Sequence, residues 1–434
     1  MTSITPDPAV AAPLSLRRNT AWNLAGTISY ALCQWFLLIV IAHVGTVKQV
    51  GLFAFALACT APIMLCANLQ LRSLIATDAR QDFKIGHYLA VRLFTIAIAL
   101  AAGVTLATFV SRGEETRVII AMVLAKSVEA LSDISYGVLQ RFEQMRVIAM
   151  SLVAKGVVGL GCMWLGLLIS NDIATGVAAM AAGWTAVLLA YDLPQSLRLV
   201  AMDEIRPAWQ RTLLLNLVRA AAPMGLVALL LSLGANLPAY FINSQLGTAE
   251  LGHFTALSYL LVAGNLVIMA MGNAASPRLA KQYAAGRFAE FRALLRRMLL
   301  LCLGIGVAGV LASATLGRPL LALVYGIEYA HFSDVLVLLA IGLAITCIAS
   351  VLGFAVTAAR HLSVQLPIVA TATLVCLSAN AWLVPTHGLL GAAWSGIIMA
   401  LALTAGYIAA TIRVIHPASP AIQGVTAQDP KGSS

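Results

Sequence analysis

The sequence predicts an all-α polytopic membrane protein with about twelve transmembrane helices in two halves of six. Of its 434 residues, 61% are hydrophobic and only 10% are charged, whereas a soluble domain is about half apolar and about a quarter charged. Lipid must cover an apolar surface of this extent. The spacing of the apolar stretches and the distribution of Lys and Arg between them indicate the same class.

Twelve stretches are long enough to cross a bilayer, which requires about 20 predominantly apolar residues. The first six are 22–42, 50–69, 89–110, 118–137, 148–169 and 175–193. The second six are 213–234, 250–271, 297–316, 332–357, 364–384 and 388–410. They predict an N lobe (22–193) and a C lobe (213–410), joined by a cytoplasmic loop (194–212) and flanked by cytoplasmic tails (1–21 and 411–434).

Basic residues are concentrated in alternate connections. With the N-terminus placed in the cytoplasm, 20 Lys and Arg lie in cytoplasmic segments, 4 in periplasmic segments and 3 within spans. Since Lys and Arg accumulate in cytoplasmic loops, this bias predicts an inner-membrane protein with an even number of spans and both termini cytoplasmic. The net charge of +10 is therefore not taken as a sign of nucleic-acid binding, because the basic residues lie in short loops between apolar stretches.

The sequence lacks the features of an enzyme or a metalloprotein. All seven cysteines lie in apolar stretches without a CxxC pair, so neither a metal site nor a disulfide framework is expected. No phosphate-binding loop of the G-x-x-x-x-G-K-[ST] type is present. We expect no catalytic residue, no metal and no cofactor, and coupling to a sodium or proton gradient stays open.

The fourth predicted span carries five polar residues on one helical face. Lys126, Glu129, Asp133, Tyr136 and Gln140 are spaced by 3, 4, 3 and 4 residues. A charge at the bilayer centre costs about 2.5–3.5 kcal/mol on insertion scales, so this face must point at protein or a water-filled cavity. We predict substrate binding by Lys126, ion coupling by Glu129 and Asp133, and cavity lining by Tyr136. The alternative is a structural network in which Lys126 pairs with Glu129 and Asp133 bonds a neighbouring helix.

Two further intramembrane cations are Lys155 and Arg219. We predict that both contact an anion in a central cavity, which Asn216, one turn before Arg219, also lines. Two alternatives stay open. Arg219 could pair with Glu129 or Asp133, and Lys155 could snorkel to the cytoplasmic edge.

A second polar stripe follows the first predicted span, where Asn23, Thr27, Tyr30 and Gln34 are spaced by 4, 3 and 4 residues. We expect it to line the cavity, and hydrogen bonding to a neighbouring helix is the alternative. Glycine-rich segments at 156–161, 304–306 and 388–391 predict close helix packing.

The connection that contains Arg72 and ends near Arg92 mixes basic, acidic and aromatic residues, which predicts an interfacial helix. The favoured function for this helix is an anchor on anionic lipid. The sharper hypothesis is that Arg72 and Arg92 guide an anionic lipid headgroup toward the cavity.

The two halves share a weak internal repeat. Thr20–Leu24 opens the first span and Thr212–Leu217 opens the seventh, each with an Asn before the Leu. Two six-helix halves of this kind are typical of transporters whose site lies between the repeats.

Several motifs, in order across nearly the whole chain, resemble the bacterial polysaccharide-biosynthesis flippases, which export oligosaccharide-lipids. These are Arg17–Leu24, Leu71–Asp78, Tyr88–Arg92, Gln140–Met145, Leu251–Tyr259, Pro277–Ala280, Tyr325–Ala330 and Gly388–Trp394. The family is part of the multidrug/oligosaccharidyl-lipid/polysaccharide exporter superfamily. It has no strict catalytic signature, so the site residues above rest on the sequence pattern alone.

The resemblance implies two six-helix lobes around a central cavity and an oligosaccharide carried on polyprenyl diphosphate. Alternating access would move this substrate to the outer leaflet for surface polysaccharide, exopolysaccharide or O-antigen assembly. The implied partners are this lipid-linked oligosaccharide, membrane lipids, and a polysaccharide polymerase and glycosyltransferases. The alternative is a cation-coupled drug or metabolite exporter of the same fold. A membrane enzyme is less well supported, because the longest outer loop has about 15 residues and no evident catalytic pair.

Overall fold

The computed structural model describes residues 16–77, 83–111, 113–200, 202–359 and 364–415, and within these ranges the chain is helical without a strand. The predicted tails lie mostly outside the described residues. Where they are described they are helical, since α1 begins at Leu16 and α15 ends at Ile415.

Nine α-helices form the N-terminal half. They are α1 (Leu16–Val44), α2 (Val47–Asn68), α3 (Leu71–Thr77), α4 (Ile85–Val110), α5 (Glu114–Arg141), α6 (Met145–Ser170), α7 (Ile173–Val187), α8 (Leu193–Leu197) and α9 (Met202–Ile205). A π-helical turn, Leu188–Asp192, joins α7 to α8 without a break, so that both belong to one span. We call α1–α9 the N lobe.

Six α-helices form the C-terminal half, which we call the C lobe. They are α10 (Arg211–Gln245), α11 (Thr248–Leu260), α12 (Val262–Ala284), α13 (Phe288–Val324), α14 (Ser333–Ala358) and α15 (Gln365–Ile415), with a 3-10 turn at Ile327–Phe332 before α14. A straight helix of 51 residues would be about 75 Å long, far more than the roughly 30 Å of hydrocarbon. It is in fact two spans, because Gly388 has φ +58° and turns the chain back.

Among the described residues, nine helices are long and apolar enough to cross a membrane. The other predicted spans are also present as helices. α5 carries the charged stripe, α11 and α12 share one span with a break at Leu261, and α15 contains two spans. The predicted all-α polytopic fold is confirmed.

Two helices extend beyond their predicted spans. The sequence predicted a polar connection at 273–296, but α12 continues to Ala284 and α13 begins at Phe288. The turn between them is made at Gly286, whose φ of +69° favours glycine. Helical structure therefore continues past the apolar stretch on both sides, and the chain turns at this glycine.

The bundle has two ends that differ in charge and packing. The basic end is the one where α1 begins and α2 ends, and the opposite end is where α1 ends and α2 begins. At the opposite end a single apolar core joins both lobes, with Leu38 and Phe53 from the N lobe and Ile242, Phe254 and Tyr325 from the C lobe. The first half of α1, toward the basic end, is mostly exposed. The lobes are thus closed together at the opposite end.

Candidate functional site

The polar stripe of α5 connects the helices of the N lobe. α5 begins after Gly113 with two acidic residues in its first turn and ends with Arg141, a charge order that suits the helix dipole. Its stripe residues point into the lobe, and their polar partners come from α1, α3, α4, α6 and α7. The residues of the stripe take part in three neighbouring clusters of polar side chains, which we call the first, second and third groups.

The first group joins Lys126, Glu129 and Tyr30. Lys126 Nζ lies 2.7 Å from Glu129 Oε2, and the Tyr30 hydroxyl donates to Glu129 Oε1 at 2.8 Å. Lys126 Nζ also stands 5.6 Å from the centre of the Trp184 ring, within the range of a cation–π contact. The side chains of Lys126 and Glu129 are 24% and 32% exposed, so this group can be reached from outside the protein core.

The second group surrounds Asp133. Its two carboxylate oxygens lie 3.5 Å from Arg72 and 3.5 Å from Arg92. Arg92 also donates to the Asn68 side chain, and Arg72 Nε donates to Gln140 Oε1 at 3.0 Å. One carboxylate thus holds two guanidinium groups from α3 and α4 at the basic end of α5.

The third group is fully buried. Lys155 Nζ lies 2.7 Å from Asp192 Oδ2, and the two side chains are 2% and 0% exposed. Ser151 donates to the Asp192 carboxylate, so Tyr136 must be the donor in its 2.7 Å hydrogen bond to Ser151. Lys155 Nζ stands 4.8 Å from the Tyr136 ring centre. The π-helical turn that ends at Asp192 belongs to a class of irregularity that often marks functional sites.

Together the three groups hold four cations and three carboxylates. The cations are Arg72, Arg92, Lys126 and Lys155, and the carboxylates are Glu129, Asp133 and Asp192. The difference, four minus three, leaves one positive charge. Because each ionised side chain has a partner of opposite sign, the cost of placing these charges at membrane depth is reduced.

Three of the residues singled out by the sequence are buried in the structure. Lys155 does not snorkel to an edge of the bilayer, because it is buried against Asp192. Arg92 is not available to a lipid headgroup in this conformation, because its side chain is fully buried between Asn68 and Asp133. Tyr136, predicted to line the cavity, is likewise buried. Arg72 keeps a side chain that is 30% exposed.

The structure does not bring Arg219 to the α5 stripe. Leu217 and Ala221 of α10 pack on the N lobe, and Arg219 is two residues beyond Leu217, about 200° around the helix. Arg219 and Asn216 are exposed. Glu129 and Asp133 pair with N-lobe cations instead, which contradicts the alternative in which Arg219 neutralises one of them.

The stripe of α1 is divided. Asn23 and Thr27 are exposed near the basic end, with the Thr27 hydroxyl bonded to the Asn23 carbonyl oxygen at 2.8 Å. Tyr30 reaches the α5 stripe, and Gln34 hydrogen bonds to Tyr30. Tyr30 and Gln34 therefore take part in the hydrogen bonding between helices that was the alternative prediction. Asn23 and Thr27, nearer the basic end, remain free to line a cavity.

Sequence reasoning missed Asp192, Ser151 and Asn68. Asp192 lies inside the predicted sixth span, so the expectation that an intramembrane carboxylate needs a partner would have found it. Ser151 and Asn68 are neutral and carry no comparable signal. Among the described residues, no group of three His, Cys, Asp or Glu side chains could hold a metal ion.

Comparison with known proteins was made at the levels of sequence and fold. No family model matches the chain. The capsular polysaccharide biosynthesis protein CapF of Staphylococcus aureus is 25% identical over 378 residues, which cover 87% of this chain and 94% of CapF. The lipid II flippase MurJ, in an inward closed conformation, superposes with a TM-score of 0.71 at 11% identity, covering 91% of this chain and 89% of MurJ. The chain has the fold of the multidrug/oligosaccharidyl-lipid/polysaccharide exporter (MOP) superfamily.

A second MOP-fold structure supports this assignment. The inward-facing conformation of a multidrug resistance MATE family transporter superposes with a TM-score of 0.68 at 15% identity, covering 93% of this chain and 96% of the transporter. These MOP-fold proteins are transporters and a flippase, not enzymes. The predicted fold of two six-helix lobes is confirmed, the similarity to CapF agrees with the resemblance to the polysaccharide-biosynthesis proteins, and the chain is a multi-pass membrane protein.

Proposed function

We propose that the chain is a secondary-type flippase that moves polyprenyl-diphosphate-linked oligosaccharide repeat units across the bacterial inner membrane. One observation carries the proposal, namely the surplus of one cation in the three charge groups of the N lobe. A diphosphate is an anion that charge-assisted hydrogen bonds from Lys and Arg recognise well. The similarity to CapF, a capsular polysaccharide biosynthesis protein, supports a place in polysaccharide assembly.

Lys126 is the first contact for the diphosphate in this proposal. Its side chain is partly exposed, whereas Lys155 and Arg92 are buried and paired with Asp192 and Asp133. Lys126 is paired with Glu129, and the Tyr30 hydroxyl donates a hydrogen bond that holds Glu129 in place. An arriving phosphate group competes for Lys126, and the released Glu129 is then free to bind a proton or a sodium ion as the coupling ion. Arg219 offers a second cation from the C lobe.

The direction of transport follows from the two ends of the bundle. In the proposed orientation the basic end is cytoplasmic, and both termini lie there. The half of α1 near that end is exposed, and the lobes share a smaller core there, in which Leu217 and Ala221 pack on the N lobe, whereas the larger shared core closes the opposite end. Glycosyltransferases would supply the repeat unit on the cytoplasmic side, and a polysaccharide polymerase would consume it outside.

Gene deletion followed by complementation tests the proposal. The deletion should abolish one surface or secreted polysaccharide and cause its lipid-linked repeat unit to accumulate on the inner leaflet. Glycosyltransferase activity in isolated membranes should be unchanged. The wild-type gene and Leu124→Ala should restore export, since Leu124 is an exposed residue of α5, whereas Lys126→Met should not.

Two outcomes would redirect the assignment. If membranes lacking the protein fail to assemble the repeat unit, the chain acts in synthesis and is an enzyme. If all polysaccharides are normal but resistance to toxic cations falls, the chain is a cation-coupled exporter of drugs or metabolites.

A further inference from the structure

A second basic site lies on the C lobe, far along the chain from the charge groups of the N lobe. It is a cavity of about 350 Å³ between α12 and α13. Arg278 of α12 and Arg297 of α13 both line it, above apolar side chains that include Met271, Met298 and Leu301. We call this cavity the arginine groove.

The two arginines of the groove are exposed and have no ion-pair partner among the described residues. The surrounding sequence offers few acids, because residues 271–301 contain six Lys and Arg and a single acid, Glu290. Glu290 is already engaged by Arg287, at 3.3 Å. Two guanidinium groups from different helices are thus left facing one space without compensating charge.

The floor of the groove continues into the lipid-facing side of α13. Leu300, Leu301, Leu303, Val307 and Leu311 are between 50% and 60% exposed, which is the expected state of residues that touch lipid. The arginines precede this surface by about one turn at the basic end. The groove therefore has a cationic rim at the level of lipid headgroups and an apolar side at the level of acyl chains.

We propose that the arginine groove binds an anionic phospholipid of the bilayer. Its phosphate lies between Arg278 and Arg297, where guanidinium groups can each donate two hydrogen bonds to phosphate oxygens. One acyl chain follows Leu301 along α13. Basic pockets between membrane helices on the cytoplasmic side are known positions for such headgroups, and this position is independent of the cargo proposed above.

The bound lipid has a structural consequence for the C lobe. α12 and α13 are joined by a connection of only three residues, 285–287, and their basic ends carry charges of the same sign. A phosphate between Arg278 and Arg297 neutralises part of this repulsion and bridges the two helices. The groove thus makes the stability of this hairpin depend on the charge of the surrounding lipid.

Thermal unfolding of the purified full-length protein tests the proposal. Detergent micelles that contain phosphatidylglycerol should raise the Tm of the wild-type protein, and micelles that contain phosphatidylcholine should not. The double variant Arg278→Ala/Arg297→Ala should lose this shift. The double variant Arg292→Ala/Arg296→Ala removes two exposed charges from the same helix region without touching the groove, so it should keep the shift.

Native mass spectrometry of the same proteins and lipids gives a second readout that does not depend on stability. Retention of phosphatidylglycerol by the wild type and by the Arg292/Arg296 variant, but not by the Arg278/Arg297 variant, supports the site. Equal loss in both variants would mean diffuse attraction and would overturn it, as would an equal response to phosphatidylcholine. Displacement of phosphatidylglycerol by polyprenyl diphosphate would overturn it too, because the groove would then be a cargo site.

Discussion

At the scale of single residues, the charges of the N lobe differ mainly in how far water can reach them. Lys126 and Glu129 are partly exposed, whereas Lys155 and Asp192 are sealed. The side-chain spacing along α5 was sufficient to predict that the stripe faces protein. It could not supply the partners, because Tyr30, Arg92 and Asp192 meet the stripe only through the packing of α1, α4 and the sixth span.

The buried pair of Lys155 and Asp192 gives the first prediction. Asp192→Asn leaves Lys155 charged in the interior, and loss of one partner of a buried pair costs about 3–5 kcal/mol. Membrane abundance and the Tm of the purified protein should both fall. Lys155→Met combined with Asp192→Leu should recover them, since apolar residues can replace a buried pair without loss.

The exposed pair between Lys48 and Glu114 provides the control for this prediction. Their side chains are 60% and 55% exposed at a separation of 2.8 Å. Lys48→Met should change the unfolding free energy by about 0–1 kcal/mol. If Asp192→Asn were no more destabilising than Lys48→Met, the buried pair would not be a structural element.

Arg219 gives the second prediction. Because Glu129 and Asp133 have other cations as partners, Arg219→Ala leaves no carboxylate unpaired and should not lower abundance. We expect it to abolish export, and Arg219→Lys to restore it only in part, because an ammonium lacks the planar fork of guanidinium. Export assays and immunoblots of membranes measure both effects. Normal export by stably inserted Arg219→Ala protein would eliminate Arg219 as an anion contact.

At the scale of helices, the closure of the opposite end depends on α2 and α11. A Cβ on Gly51 would overlap the carbonyl group of Thr248, and a Cβ on Gly252 would overlap that of Val47. Glu115 of α5 also accepts hydrogen bonds from Asn243 and Thr248, both at 3.3 Å. These contacts cross from one lobe to the other without room for larger side chains.

Glycine content alone predicted close packing only in part. Gly156 and Gly306 face Cys33 and Ala344 at distances that leave no space for a side chain. Gly161 and Gly304 have open space around them. The sequence cannot distinguish these cases, because the neighbour of each glycine belongs to a distant part of the chain.

The third prediction uses this difference. Gly51→Val should hold α2 away from α11 and prevent closure of the opposite end. A cysteine in place of the buried Leu251 should then react faster with a membrane-impermeant maleimide applied from the periplasmic side, and export should fall. Gly161→Val, which meets open space, should change neither. Unaltered labelling in the Gly51→Val protein would show that these two helices do not form the closure.

At the scale of the whole molecule, most of the architecture could be predicted from apolar stretches and basic connections. Those patterns reflect the bilayer, which acts on every span in the same way. Helix ends were predicted less well, since α12 and α13 continue past the apolar stretch where water is an adequate solvent for a helix. The relation between the lobes was not predictable, because it depends on side-chain contacts across the molecule.

The fourth prediction concerns orientation. Reporter fusions after Gln210 and Gly286 should give a cytoplasmic signal, and a fusion after Glu115 a periplasmic signal, since basic residues avoid translocation. Lys48, Glu114, Arg117 and Asp172 share one polar pocket at the opposite end, so fusions in these connections must agree with one another. A periplasmic signal at Gly286 would reverse the C lobe relative to the N lobe.

The π-helical turn at Leu188–Asp192 has a geometric consequence for the sixth span. An α-helix rotates by about 100° per residue, and a π turn accommodates an extra residue, so that the helix beyond the turn lags in phase. If the wide turn migrates one step along the helix, Asp192 swings by about 100° away from Lys155 while both ends of the span stay fixed. Such a shift of the π turn therefore rotates the Asp192 carboxylate into or out of the lobe interior without unwinding a membrane helix.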